Sequence, residues 1–279
     1  MKTITTYITE KFKIRKSQGT VCTLFPENSL DLTAMIMEEI KKNGPNCSLN
    51  HIDVSEITNF QRIFYGVDFN GDISEWDVSN ATCMNNMFAR SPFNGDISNW
   101  DVSNVTSMHS MFAASAFNGD ISGWDVSNVK TFANMFLSSK FNGDISNWDV
   151  SSAITMAGMF ENTTFKGDIS KWNVSNLVTS SRMFKNCSFD GDLSKWDVSS
   201  MANAVEMFLN SDYSGNYGGL ENWNVENLKF ADNMFESSSY RNDISTWNPV
   251  NLRKATARDM FKNSYYARKK PSWYKQLAK

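Results

Sequence analysis

Two rows of aspartates recur through this sequence. Asp72, Asp96, Asp120, Asp144, Asp168 and Asp192 each follow a glycine in a turn-like Asn-Gly-Asp or related triplet. Asp77, Asp101, Asp125, Asp149 and Asp197 each follow a tryptophan, and Asn173, Asn224 and Asn248 fill that place in the other units. Stacked carboxylates can hold a hard cation or attract a basic surface. Calcium wants about six to eight oxygens, and one Asp per turn with Asn and Ser is a thin ligand set, so the first row reads as caps on the turn backbone. Carboxylates of the second row, stacked about 5 Å apart, would repel by roughly 0.8 kcal/mol per pair in water. The chain can tolerate this by bonding them to neighbouring Ser and backbone N–H groups, or a basic partner can neutralise them.

Other catalytic chemistry finds little support. The two histidines, His51 and His109, have no Ser or Cys partner at any recurrent position, and no Walker loop, GxSxG, HExxH or CxxC occurs. Cys22, Cys47, Cys83 and Cys187 fall at unrelated places and read as reduced packing residues. The expectation is no enzyme, no cofactor and no metal.

What positions the carboxylates is a repeat. Tryptophan occurs at 76, 100, 124, 148, 172 and 196, at a spacing of 24, then at 223 and 247. A Met-Phe pair keeps the same beat from Met87-Phe88 to Met260-Phe261. Counting a degenerate first unit, about nine cycles run from roughly residue 49 to 266. A unit this short cannot bury its own apolar face and must stack on its neighbours. Ile97, Trp100 and Val102 read as a short strand, and Ser103 as a helix N-cap. Val105, Met108, Met111 and Phe112 make one stripe of a short helix. Stacking strand, turn, short helix and turn predicts an α/β, right-handed solenoid with identical residues in ladders about 4.8 Å apart. The Trp and Met-Phe ladders read as core, each Trp burying up to about 200 Å².

The run GDISNWDVSNVTSMHSMF, residues 95–112, and its copies resemble the BspA-like repeats of about 25 residues found in mycoplasma-type lipoproteins and many bacterial surface proteins. The Ile97, Trp100, Val102 spacing is similar to the strand segment of leucine-rich repeats. Where those usually carry Asn, this chain has Ala81, Val105, Val129, Ala153 and Leu177. The resemblance implies a non-enzymatic binding scaffold. Family members often adhere to host proteins, and copies behind a short N-terminal module look like those carried by gut bacteria and their phages.

Residues 1–46 do not repeat and read as an N-terminal capping module, 47–266 as the solenoid, and 267–279 as a basic C-terminal cap or tail. In the module, Thr3–Phe12 reads as a helix, Val21–Phe25 as a strand and Leu32–Ile40 as a helix capped by Ser29 or Asp31 and ended at Asn43-Gly44-Pro45. The start is mixed and charged, which predicts neither signal peptide nor membrane span and hence a cytoplasmic protein. The net charge of −3 hides an uneven layout: residues 47–252 hold 11 basic and 24 acidic groups, and residues 253–279 hold nine basic and one acidic. The basic end is a solvated charge run and does not argue for nucleic acid. Tyr213, Tyr240 and Tyr266 replace the ladder Phe, whereas Tyr217 and Tyr265 are extra and could anchor an interface. Glu75, Asn99, Gly123, Asn147, Lys171 and Lys195 vary at one slot while the core does not. The expected function is a monomeric protein-binding scaffold, a phage- or bacterium-encoded binder or inhibitor of a host protein. Its candidate contacts are Asp77, Asp101, Asp125, Asp149, Asp197, Tyr217 and Tyr265, and its partner carries a basic surface. The alternatives are a structural component of a virion or envelope, and a surface adhesin.

Overall fold

The computed structural model describes residues 16–17 and 20–277; the helix expected over Thr3–Phe12 lies outside them. The first elements are a two-stranded antiparallel ribbon, β1 (Lys16–Ser17) with β2 (Thr20–Val21), then helix α1 (Ser29–Asn43). The strand expected over Val21–Phe25 is broken into β2 and a single parallel bridge from Leu24 to Ile52. The cap of α1 is Asn28, not Ser29 or Asp31: its Oδ1 accepts the N–H groups of Leu30 and Asp31 at 2.9 and 3.1 Å. Ser29 is already helical, and its hydroxyl donates instead to the Asn59 carbonyl. The helix stops where expected, at Gly44, whose φ of 87° needs no Cβ and whose N–H returns to Ile40. Leu32 and Ile36 point from α1 into the same apolar cluster as Leu49, Ile52 and Phe60 of the first coil.

From there the chain is a stack of coils one repeat long. Ile97, Trp100, Val102, Val105, Met108, Met111, Phe112 and Phe117 are all buried, and so are their equivalents in neighbouring coils. The rings form ladders. Trp76 and Trp100 lie 6.4 Å apart at 6°, Phe88 and Phe112 5.7 Å at 4°, Phe93 and Phe117 6.4 Å at 1°. These spacings exceed the strand spacing of about 4.8 Å because near-parallel rings slide past one another to avoid eclipsed faces. Tyr213 and Tyr240 continue the Phe ladder, buried and 5.7 Å apart. Each tryptophan also donates its indole N–H to a carbonyl of the coil before it, as Trp124 does to Ile97 at 3.1 Å.

The repeat's secondary structure departs from the expected strand and helix. Among the described residues neither occurs within residues 47–253, and the only sheet-like contacts there are single parallel bridges, from Ser107 to Cys83 and Thr131 and so on along the stack. The expected helix is a run of tight turns. Met111, Ala113 and Ser115 donate back three residues, to Met108, Ser110 and Phe112. Met108, Ser110, Phe112 and Ala114 donate instead to the next coil, at Thr131, Ala133, Met135 and Leu137. Ser110 and Ala114 have φ of 55° and 53°, values a right-handed helix does not allow, and the equivalents in other coils share them. Ser103 is therefore no helix cap. Turns that reverse every four residues bring the same apolar positions inward as a helix would.

The last coil holds short 3₁₀ turns at Lys254–Thr256 and Tyr265–Ala267 and then α2 (Ser272–Gln276). Within the segment expected as basic cap or tail, Trp273 and Tyr274 are buried. Trp273 stacks on Trp247 at 5.9 Å and donates to Ile244 at 2.8 Å, repeating the ladder's own bond from a helix.

Trp273→Ala is expected to lower stability by about 3–5 kcal/mol, as for a buried aromatic, whereas Lys269→Gln with Lys270→Gln changes it little; urea unfolding checks both. Ala114→Gly relieves the left-handed backbone and should gain up to about 1 kcal/mol, while Ala114→Val should lose more than that.

Candidate functional site

The aspartates that follow tryptophan do not lie on a strand. Each opens a small turn closed by its own side chain. Asp101 Oδ1 accepts the Ser103 N–H at 3.0 Å and the Ser103 hydroxyl at 2.6 Å. Asp77 holds Ser79 in the same way, at 3.1 and 2.6 Å. Asp125, Asp149 and Asp197 accept the N–H of Ser127, Ser151 and Ser199, each at 3.0 Å. All five are exposed, one per coil on one side of the stack. The hydroxyl and then the amide of Ser127 hold the Asp125 carboxyl below its ordinary range, and Ser199 does the same to Asp197. Asparagine serves as well: Asn173 accepts from Ser175 N–H at 3.2 Å and Asn224 from Glu226 N–H at 3.1 Å. The turn requires an oxygen acceptor at this place; the charge favours it without being essential.

The second row behaves alike. Asp96, Asp120, Asp144 and Asp168 each accept the N–H of the serine two residues on, at 2.9 Å. That amide, then the serine hydroxyl, lowers each carboxyl's pKa. Neighbouring asparagines link coil to coil, as when Asn118 N–H donates to Asn94 Oδ1 at 2.7 Å. Among the described residues no three acidic, histidine or cysteine side chains are grouped to share a metal ion.

Tyr217 is 73% exposed at the tip of an inserted loop. The loop is held by Ser214, which donates through N–H and hydroxyl to Asp190, and by the Tyr213 hydroxyl, which donates to the Gly218 carbonyl at 2.6 Å. Gly218 is required: at φ 151° a Cβ there would lie 1.8 Å from Asp192 Oδ1. Tyr265 is 47% exposed, packs edge-on against Tyr266, and has the Lys269 ammonium 5.6 Å from its ring centre. The tyrosines sit in the irregular coils, and the aspartates run along the regular ones.

Of the varying slots, Asn99, Gly123, Asn147, Lys171 and Lys195 are exposed, but Glu75 is half-buried and accepts the Thr20 N–H at 3.0 Å. His51 Nε2 lies 3.5 Å from Glu39 Oε2, and His109 Nε2 lies 3.2 Å from Ser110 Oγ. Among the described residues no carboxylate pairs with His109. Two clefts flank the C-terminal helix. One of about 260 Å³ is lined by Asn248, Val250, Arg253, Trp273 and Leu277, and one of about 320 Å³ by Asp259, Lys262, Lys270 and Tyr274. Neither sets a nucleophile beside a base.

The sequence reading missed two surface rows. Inter-coil ion pairs join Lys185 to Glu206 at 2.6 Å, Arg182 to Glu206 at 3.1 Å, Arg258 to Asp232 at 3.1 Å and Lys262 to Glu236 at 2.9 Å. Exposed apolar residues, Ile154, Val178 and Phe230, stand on the bridged side of the later coils. Ile154 and Val178 stand one repeat apart, so reading exposed positions column by column would have found them, whereas Phe230 stands in the adjoining bridged column after Thr179 and Asn203.

The profile of a family described as "Mycoplasma protein of unknown function, DUF285" matches residues 31–140, 124–218 and 188–274. The chain belongs to the DUF285 family. The three overlapping matches make this DUF285 chain a repeat protein and run from α1 into the C-terminal helix. No curated protein and no solved structure matches it significantly. No helix among the described residues is long and apolar enough to cross a membrane.

Asp101→Asn should leave stability within a few tenths of a kcal/mol, and Asp101→Ala should cost about 1 kcal/mol by removing the acceptor. The lowered carboxyls also set a pH dependence. Their folded pKa lies below the unfolded value, about 4, so their contribution is present above that pH and lost as pH falls through the folded values. The urea midpoint should hold steady down to about pH 5 and fall below about pH 4, less steeply when several of these aspartates are asparagine.

Proposed function

We propose that this chain is a non-enzymatic scaffold for protein–protein interaction. In this reading it is a BspA-like, right-handed, leucine-rich-repeat-like solenoid with residues 1–46 as its N-terminal cap. It acts in the cytoplasm, encoded by a bacterium or its phage, as a binder or inhibitor of a host protein that carries a basic surface. Parallel bridges repeating coil after coil favour the right-handed connection.

One observation carries the reading: the turn after tryptophan also forms with Asn, at Asn173 and Asn224, yet five of its eight places in the stack hold Asp. The negative charge is more than the turn requires. A row of carboxylates on one side of a rigid stack suits recognition of lysines and arginines, for which complementarity sets approach rate and register. The exposed Tyr217 and Tyr265 add aromatic anchors at the irregular end. A second reading draws on the charge layout. The basic last 27 residues and the acidic body favour head-to-tail contact between copies, as a structural component of a virion or envelope would use.

The test is a pull-down from host lysate at about 0.15 M salt, comparing the wild type with Asp101→Asn, Asp125→Asn and Asp149→Asn combined, which keeps each turn and removes its charge. A single enriched protein that the variant loses is the expected result. Retention by that variant and loss with Tyr217→Ala or Tyr265→Ala would move the contact to the tyrosines. Recovery of the chain with copies of itself alone, with light scattering that grows with concentration, would overturn the scaffold reading in favour of assembly.

A further inference from the structure

One column of exposed residues is bonded directly from coil to coil. Thr82 N–H donates to the Thr58 carbonyl, Thr106 to Thr82, Lys130 to Thr106, Ile154 to Lys130, Val178 to Ile154, Ala202 to Val178 and Lys229 to Ala202, all at 2.8 or 2.9 Å. The core makes no demand on these side chains, which point outward. In the early coils the column is Thr58, Thr82 and Thr106, all exposed. It then changes character. Lys130 is followed by Ile154, 49% exposed, Val178, 39% exposed, and the half-buried Ala202, and the column ends at Lys229. Phe230, beside that lysine, is 46% exposed. On one flank stands the bridged column of Thr131, Thr155, Thr179 and Asn203, half-buried, which ends at Phe230, and beyond it Ala133, Ala157, Ser181 and Val205, small or apolar and half-buried.

An apolar strip on an exposed face, at places where packing would accept threonine, marks an interaction surface. We propose that this strip, from Lys130 to Lys229, is the docking site for an amphipathic helix of a partner protein, with apolar side chains on one face and a carboxylate near each end. The proposal rests on the scaffold reading above but not on the acidic row. Three observations choose the occupant. The column's N–H and C=O groups are already used between coils, so an added strand would find no backbone partners here, whereas a helix satisfies its own. The two lysines lie four coil steps apart, about 19 Å at the spacing of bridged chains. A helix covers that in about 13 residues. Lysine at both ends disfavours a two-fold pairing of this strip with its copy, which would bring Lys130 against Lys229.

The test uses the full chain and a yeast-displayed library of 15-residue helical peptides, randomised at four positions of one face and at both ends. Enriched peptides should carry apolar residues on that face and Asp or Glu at both ends. Their binding should weaken at least tenfold with Ile154→Glu and Val178→Glu combined. Lys130→Gln with Lys229→Gln should abolish the preference for acidic ends and keep that for the apolar face. Unchanged urea unfolding shows that the variants fold, as exposed positions allow. No enrichment, peptides without acidic ends, or equal binding to the Glu variant would overturn the proposal. So would a dimer in sedimentation that the Glu variant dissociates, which would make a second copy the occupant. A lysate partner retained by the Glu variant would remove this surface and leave the scaffold reading standing.

Discussion

The indole N–H of every tryptophan in the repeat is buried and needs an acceptor, and it finds one only if the preceding coil is in register. From Trp76 to Trp196 the bond reaches back 27 residues each time, to Leu49 or to the Ile of the coil before. An unpaired buried donor would cost about 1–3 kcal/mol. Each bond therefore ties the length of one coil to the length of the next. Where three residues are inserted the register still holds: Trp223 reaches back 30 residues to Leu193, and the extra length leaves as the loop bearing Tyr217. The same bond, made by Trp273, joins the C-terminal helix to the stack.

Once register is set, the other recurrent polar groups are largely committed. The two rows of aspartate close turns on serine, the asparagines join adjacent coils, and the alternate amides of Met108 to Ala114 reach the next coil. In the aspartate turns the serine takes one carboxylate oxygen, Oδ1, and the exposed carboxylates keep their charge toward solvent. Residue type varies where the repeat does not dictate it: at the slot before each tryptophan, along the column from Thr58 to Lys229, and in the loops of the last coils.

This explains which parts were legible beforehand. The buried set follows from period alone, because Trp, Met and Phe at fixed spacing have to stack. The short helix was misread because Val105, Met108, Met111 and Phe112 have the spacing of a helical stripe and equally that of successive four-residue turns. Side-chain periodicity does not separate the two, since both return to the same face every three or four residues. Positive φ at Ser110, Ala114 and their equivalents separates them; Asn and Gly together are frequent there, as the left-handed region favours, but Ser, Ala, Arg, Glu and Asp also occur, so residue type gives only a partial signal.

The sequence by itself determined the period, the stacking of like on like, the residues that are buried and the C-terminal end of α1, because these depend on apolar side chains and turn chemistry within one or two repeats. Only the tertiary structure decided where each amide turns, which carboxylates are bound to serine and which outward residues line up in a column. Those depend on what the adjacent coil places about 5 Å away. A coil's backbone bonds are made mostly with its neighbours, so no single unit read alone contains them.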